Sequence, residues 1–152
     1  SMAITSTIST VADSITGLSI SGVTIKDIDQ IPDTASMLCP LLIPDPNGFI
    51  TDISVTFETF GSNGSAKINT NYTLNYLFML CEVGSGLGTY AAYSGLITKL
   101  SAILVAINSN DAITGAVDMR LNGISNIGVV VDPAGNEFWG LSFSLRILEY
   151  SQ

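Results

Sequence analysis

Residues 66–83 read AKINTNYTLNYLFMLCEV, and the spacing of their apolar side chains decides how the chain folds. Tyr72, Leu74, Tyr76, Phe78 and Leu80 recur at every second position, the period at which a β-strand returns a side chain to one face. The opposite face changes along the strand. Asn71, Thr73 and Asn75 are polar there, whereas Leu77, Met79 and Cys81 are not. The first half therefore has one wet face, and the second half must be covered twice, by a core and by something else.

Downstream, Gly84-Ser85-Gly86-Leu87-Gly88 breaks the strand, and Thr89 to Asn108 reads as the main helix. Its buried stripe is expected to be Tyr93, Leu96, Leu100, Ile103, Leu104 and Ile107, with Ala91, Ala92 and Gly95 allowing close approach. Residues 109–120 form a weakly patterned connector. Leu121 to Val131 reads as a strand, Asp132-Pro133-Ala134-Gly135-Asn136 as a hairpin loop, and Glu137 to Glu149 as a last strand. That last strand alternates cleanly, with Trp139, Leu141, Phe143, Leu145 and Ile147 inside and Gly140, Ser142, Ser144 and Arg146 outside.

Upstream, Phe49 to Glu58 alternates as a half-buried strand after the turn signal Asp45-Pro46-Asn47-Gly48. Met37 to Ile43 is an apolar run that Pro40 demotes to an edge or irregular strand. Asp29 to Ser36 reads as a loop, Val23 to Ile28 as a short strand. Ile4, Ile8, Val11 and Ile15 stand at helical spacing over residues 3–16, ended by Gly17. The expected fold class is α+β: a mostly antiparallel sheet with an N-terminal helix and one long helix packed on one face. One domain spans 2–152, and Ser1 before Met2 looks like a remnant of tag removal.

The chain has 152 residues, a formal charge of −8 and 47% hydrophobic residues, but only 12% charged ones. Soluble domains carry roughly 25% charged residues, so this one has about half the usual share. Disorder is excluded, because it requires low hydrophobicity and high charge density. Five basic against thirteen acidic residues argue against a protein that grips nucleic acid by neutralising phosphates. The longest apolar stretch, Leu96 to Ile107, falls short of the roughly 20 residues that span a bilayer, and no secretion signal opens the chain. No membrane role is therefore expected. A partner surface is the remaining place for so much apolar area to be buried.

Catalytic chemistry finds few of its parts. There is no histidine, which removes the commonest general base and metal ligand and makes a Ser-His-Asp or Cys-His arrangement impossible. The glycines at 84–88 lack the third glycine of a dinucleotide fingerprint, since position 89 is Thr, and no lysine supplies a P-loop. Asp27, Asp29 and Asp33 lack the glycine and the terminal glutamate of a calcium loop. No enzyme activity, metal or cofactor is expected. Cys39 and Cys81 fall in expected strands and read as reduced thiols, with a disulfide between them left open. Tyr72, Tyr76, Phe78, Trp139 and Phe143 read first as a core layer and secondarily as the lining of a ligand pocket.

The order of parts resembles the tail terminator, or tail completion, proteins of long-tailed, siphophage-type bacteriophages. An N-terminal helix leads to IKDIDQIPDTASMLCPLLI, and TNYTLNYLFMLCEVGSG supplies a long strand ending in glycines. The helix TYAAYSGLITKLSAILVAI follows, and GISNIGVVVDPAGNEFWGLSFSLRILEY closes with an aromatic–Gly step. The resemblance implies a virion structural protein of the neck or tail, assembled in the host cytoplasm as a homo-oligomeric ring, usually a hexamer. The ring caps the tail tube protein and meets the head-side connector protein, and DNA passes through it without being gripped. On that view Leu77, Met79, Cys81, Met37 and Leu41 are the candidate subunit interface. Asp52, Glu58 and Asp118 are the candidate lumen-facing acids, and the charge of −8 suits a bore that repels phosphate. The alternative is a small α+β module that binds an apolar ligand or partner between sheet and helix, at Tyr72, Tyr76 and Trp139.

Overall fold

The computed structural model describes residues 13, 15–27, 30, 38–58, 67–109 and 117–151. Among them the strands are β1 (Thr24–Ile25), β2 (Leu41–Pro44), β3 (Ile50–Glu58), β4 (Lys67–Glu82), β5 (Val117–Val131) and β6 (Glu137–Ser151). A 3-10 turn, Val83–Ser85, separates β4 from the helix α1 (Thr89–Asn108). The strands form a single mixed sheet in the order β1-β2-β4-β6-β5, with β3 also pairing β4. Only the β1–β2 pair is parallel.

The expected α+β class is corrected by this arrangement. The molecule is mostly sheet, with one long helix among the described residues. Most of the expected helix over 3–16 lies outside the described residues. What is described of it is a single turn, closed by the Gly17 N–H donating to the Asp13 carbonyl at 2.9 Å. The sheet dominates because β4, β5 and β6 run 15 or 16 residues each, nearly three times the usual strand length.

The expected strand over 66–83 is β4. Its even-numbered side chains Tyr72, Leu74, Tyr76 and Phe78 are buried together with Leu141, Phe143, Leu145 and Ile147 of β6 and with Ala92, Leu96, Ile103 and Ile107 of α1. This is the main core, between helix and sheet. Met79 and Leu77 point the other way and join Leu41, Ile43, Val130 and Phe138 in a second buried cluster on the back of the sheet. Within β4 only Leu77–Met79 is both apolar and buried on both faces; nearer the N-terminus the back face is polar, with Thr73 buried and Asn71 and Asn75 partly exposed.

The turn Asp45-Pro46-Asn47-Gly48 does not reverse the chain. β2 pairs β4 from Leu41↔Met79 to Pro44↔Tyr76, and β3 resumes on the same edge at Ile50↔Leu74. The two are one antiparallel strand interrupted by a bulge, and Asn75 spans the interruption. Its carbonyl accepts from the Asp45 N–H at 2.9 Å, its N–H donates to the Phe49 carbonyl at 2.8 Å, and its side-chain amide donates to the Gly48 carbonyl and Thr51 Oγ1 at 3.1 and 3.0 Å. A proline-bearing turn signal marks either a hairpin or a bulge, and cross-strand register decides between them. Within the 109–120 connector, 110–116 lie outside the described residues and Val117 already belongs to β5. The short strand expected at Val23–Ile28 shrinks to Thr24–Ile25, and the expected Met37–Ile43 strand begins only at Leu41, after Pro40.

The glycine turn leads directly into α1, with Gly88 as its N-cap. Gly95 lets the helix approach the sheet: a Cβ there would stand 3.0 Å from Leu80 Cδ2. Gly140 is tighter still, since a Cβ would collide with the Phe78 carbonyl and with Val130.

Candidate functional site

α1 turns one stripe to the core, yet its outer surface also carries large apolar side chains among Ser94, Thr98 and Ser101. Ala92, Leu96, Ile103 and Ile107 are buried, while Tyr90, Ile97 and Val105 on the outside are 88%, 59% and 65% exposed. Tyr93, expected in the buried stripe, is partly exposed and leans its ring on Trp139, with centroids 5.8 Å apart. Only 22% of the helix's apolar 18-residue window is buried. By length and composition the helix is also long enough to cross a membrane; the 12-residue stretch read from the sequence is the C-terminal part of this longer apolar element. Along its C-terminal half the outer face forms one wall of a groove of about 1130 Å³, whose other wall is the segment Gly17–Ser21, including Leu18 and Ile20.

A second exposed apolar strip follows β5, a terminal strand of the sheet. Leu121, Ile127, Val129 and Val131 are all more than a third exposed. Two register shifts and a Gly128 with φ of 153° distort this edge. Bulged edges resist open-ended strand addition.

The sequence-derived interface residues sit elsewhere. Leu41, Leu77 and Met79 are buried inside the single chain, in the second cluster, and Cys81 is half-buried against the main core. The two-sided apolar half of β4 is thus buried within the single chain, side by side with Leu41, Ile43, Val130 and Phe138 of the neighbouring strands and with Leu38 and Cys39 packed against them. Met37 lies outside the described residues.

Of the acids expected to face a lumen, Asp52 sits at the β3 bulge with φ of 54° and is exposed. Glu58 ends β3, opposite Lys67, and its side chain lies outside the described residues. Asp118 is on β5, where its carboxylate lies 3.4 Å from Arg120 Nε.

Asp52 and Asp118 each lie beside an arginine, and the pairing of those two arginines is a feature the sequence did not disclose. On the back of the sheet, Arg120 of β5 stands directly opposite Arg146 of β6. Arg146 Nη1 donates to the Asp52 carbonyl at 3.1 Å and to Thr73 Oγ1 at 2.9 Å. Around them the face is neutral and polar, carrying Asn71, Thr73, Asn75, Ser142 and Ser144, with the Asn122 amide donating to Ser144 Oγ at 3.5 Å. The alternation of β6 places Arg146 on the outer face, but only the register of β5 reveals its partner.

No protein-family model matches the chain, and no curated protein matches its sequence. The functional reading therefore rests on these surfaces and on the aromatic core.

In that core, Tyr76 stacks on Phe143 at 5.6 Å and meets Phe49 edge-on at 5.5 Å. Tyr72, Tyr76 and Trp139 are buried, and Tyr72 Oη, Tyr76 Oη and Trp139 Nε1 have no hydrogen-bond partner among the described residues. Burial pushes both tyrosine hydroxyls well above their ordinary pKa; the nearby carboxylate of Glu149 adds to the effect on Tyr72, and Asp27 to that on Tyr76. Among the described residues no group of three acidic, cysteine or histidine side chains is gathered to hold a metal. Burial also pushes the Cys39 thiol up to about 11, assisted by Cys81 and Glu82, which makes it a poor nucleophile.

Proposed function

We propose that this chain is a structural subunit that assembles with copies of itself, as a neck or tail ring of the kind its sequence resembles. On this reading the ring, usually a hexamer, caps the tail tube, faces the head-side connector and lets DNA pass. The observation that carries the reading is the outer face of α1. A helix that has already committed a stripe to its own core still exposes Tyr90, Ile97 and Val105. Large apolar side chains gathered on one exposed helix face suit a partner surface. The exposed strip on β5 is a second, different apolar surface. Two unlike surfaces on one subunit suit head-to-tail contacts, which close into rings.

Light scattering over a concentration series, with negative-stain micrographs, tests this reading. Closed rings at a multiple of the 16.0 kDa chain mass, and a shift in the length of tail tubes polymerised in their presence, are expected. A monomer throughout, with no rings and no effect on tube length, would sink the reading. Ile97→Asp combined with Val105→Asp should abolish assembly while the circular dichroism spectrum is kept. Uptake of the wild type by phosphatidylcholine vesicles would instead assign the helix face to lipid.

One observation bears on the second reading, a module that binds an apolar ligand or protein partner. The polar tips of Tyr72, Tyr76 and Trp139 have no partner among the described residues, and a molecule bound beside any one of them would relieve about 1–3 kcal/mol. Native mass spectrometry of freshly purified protein separates the two, because a co-purifying adduct on a monomer is expected only from the module.

A further inference from the structure

Two of the five basic residues of this acidic chain stand opposite one another on adjacent strands. Like charges in that position oppose pairing, so something must compensate them. One carboxylate does so in part: Asp118, 3.4 Å from Arg120 and itself half exposed. Among the described residues Arg146 is held by two neutral oxygens, the Asp52 carbonyl and Thr73 Oγ1, and both bonds use Nη1. Its other guanidinium nitrogens are thereby fixed in position on a flat polar face, a preorganised fork for an incoming carboxylate.

The opposite end of the same strands carries the complementary charge. Glu82 closes β4 and Glu137 opens β6. Both are exposed, and together they border a shallow concavity of about 360 Å³ with Gly84, Gly135 and Asn136. Nine residues of β6 separate Glu137 from Arg146, about 30 Å at the rise of an extended strand. The two pairs are too far apart to meet within one chain. A subunit with a guanidinium pair near one end of its sheet and a carboxylate pair at the other is electrically head-to-tail. In a chain of net charge −8, which repels its own copies, such a seam supplies the missing attraction.

We infer that Arg120 and Arg146 receive the Glu82–Glu137 end of a second copy of this chain. The inference rests on the ring reading above and names the polar part of its subunit contact.

The test is a charge swap read by light scattering and analytical ultracentrifugation. Wild-type assembly should weaken as salt rises. Arg120→Glu with Arg146→Glu should weaken it about tenfold or more, and so should Glu82→Lys with Glu137→Lys. Mixing the two variants in equal amounts should restore assembly to near the wild-type level. Arg146 has structural bonds, so Arg120→Glu alone, at an exposed side chain, serves as the second variant and should give a smaller loss in the same direction. Unchanged assembly in the arginine variants overturns the inference while leaving the ring reading standing. Loss without rescue on mixing also overturns it, since the carboxylates would then lie elsewhere. Binding of a short DNA duplex that the arginine variants lose would overturn it in favour of phosphate. A wild type that stays monomeric at every concentration sinks the ring reading and this contact together.

Discussion

The two halves of β4 teach what the rest of the sheet is for. From Leu77 to Met79 the strand is buried on both faces, between the main core and the second cluster. From Asn69 to Asn75 the same strand keeps Tyr72 and Leu74 in the core, but it turns Asn71, Thr73 and Asn75 to the polar back face where the two arginines sit. One half holds the molecule together, and the other holds a surface flat and available. The changeover falls at Asn75, where the edge strand breaks into β2 and β3.

That contrast can be broken most strongly at Met79. Met79→Ala removes a fully buried side chain from the second cluster and should destabilise the fold by about 2–5 kcal/mol in urea titration. Asn71→Thr, on the polar half and partly exposed, should change stability by less than about 0.5 kcal/mol. Similar losses at the two sites would mean that the halves are not distinct. Gly140 lies opposite Met79 in register and tests the packing of the same half from the other strand. The methyl of Gly140→Ala would meet the Phe78 backbone carbonyl, which cannot rotate away, and about 1–3 kcal/mol of overpacking strain should follow. At the boundary, Asn75→Ala deletes the amide bonds to Gly48 and Thr51 and should cost about 1 kcal/mol. Hydrogen exchange should then rise at Asp45–Phe49 before it rises elsewhere.

Much of this contrast was legible in the residues. The alternation of β4, its change of character after Asn75 and the limits of the helix at Thr89 and Asn108 follow from spacing alone, because periodicity reports how many faces of an element are buried. What covers those faces does not follow. Leu77 and Met79 are flanked on the back of the sheet by Leu41, Ile43, Val130 and Phe138, which lie as far as 61 residues away in sequence, with Leu38 and Cys39 packed against the cluster. The apolar excess therefore suggested a subunit interface where the chain supplies its own cover. The surplus that does remain exposed is divided among α1, β3 and β5, and on α1 apolar residues on both the inner and outer sides conceal which side faces out. The arginine pair escaped for a related reason. Arg120 fell in the apparent connector, and cross-strand neighbours depend on bulges that no local pattern in β5 announces.

The smallest expected effect concerns Cys39, at the entrance to the doubly buried half. Its thiol titrates at about 11 in the folded chain, against 9.0 for an ordinary thiol. The folded state therefore keeps its proton over a range where the unfolded state has lost it. Stability linked to this group is fully present below pH 9 and is lost as pH rises from 9 toward 11, because the unfolded chain then binds fewer protons than the native one. Tyr72 and Tyr76, also raised by burial, act with the same sign above pH 10, so the wild type alone cannot isolate the cysteine. The comparison with Cys39→Ala does. The urea midpoint of the variant should fall less steeply than that of the wild type between pH 9 and 11, and the two curves should run parallel below pH 9. Reactivity gives an independent reading. At pH 8, alkylation of Cys39 in the folded protein should be roughly 100-fold slower than that of an ordinary thiol, and the difference should vanish in denaturant. Equal rates in both states would place the thiol in solvent, and the first strand residues of β2 would then not be sealed against β4.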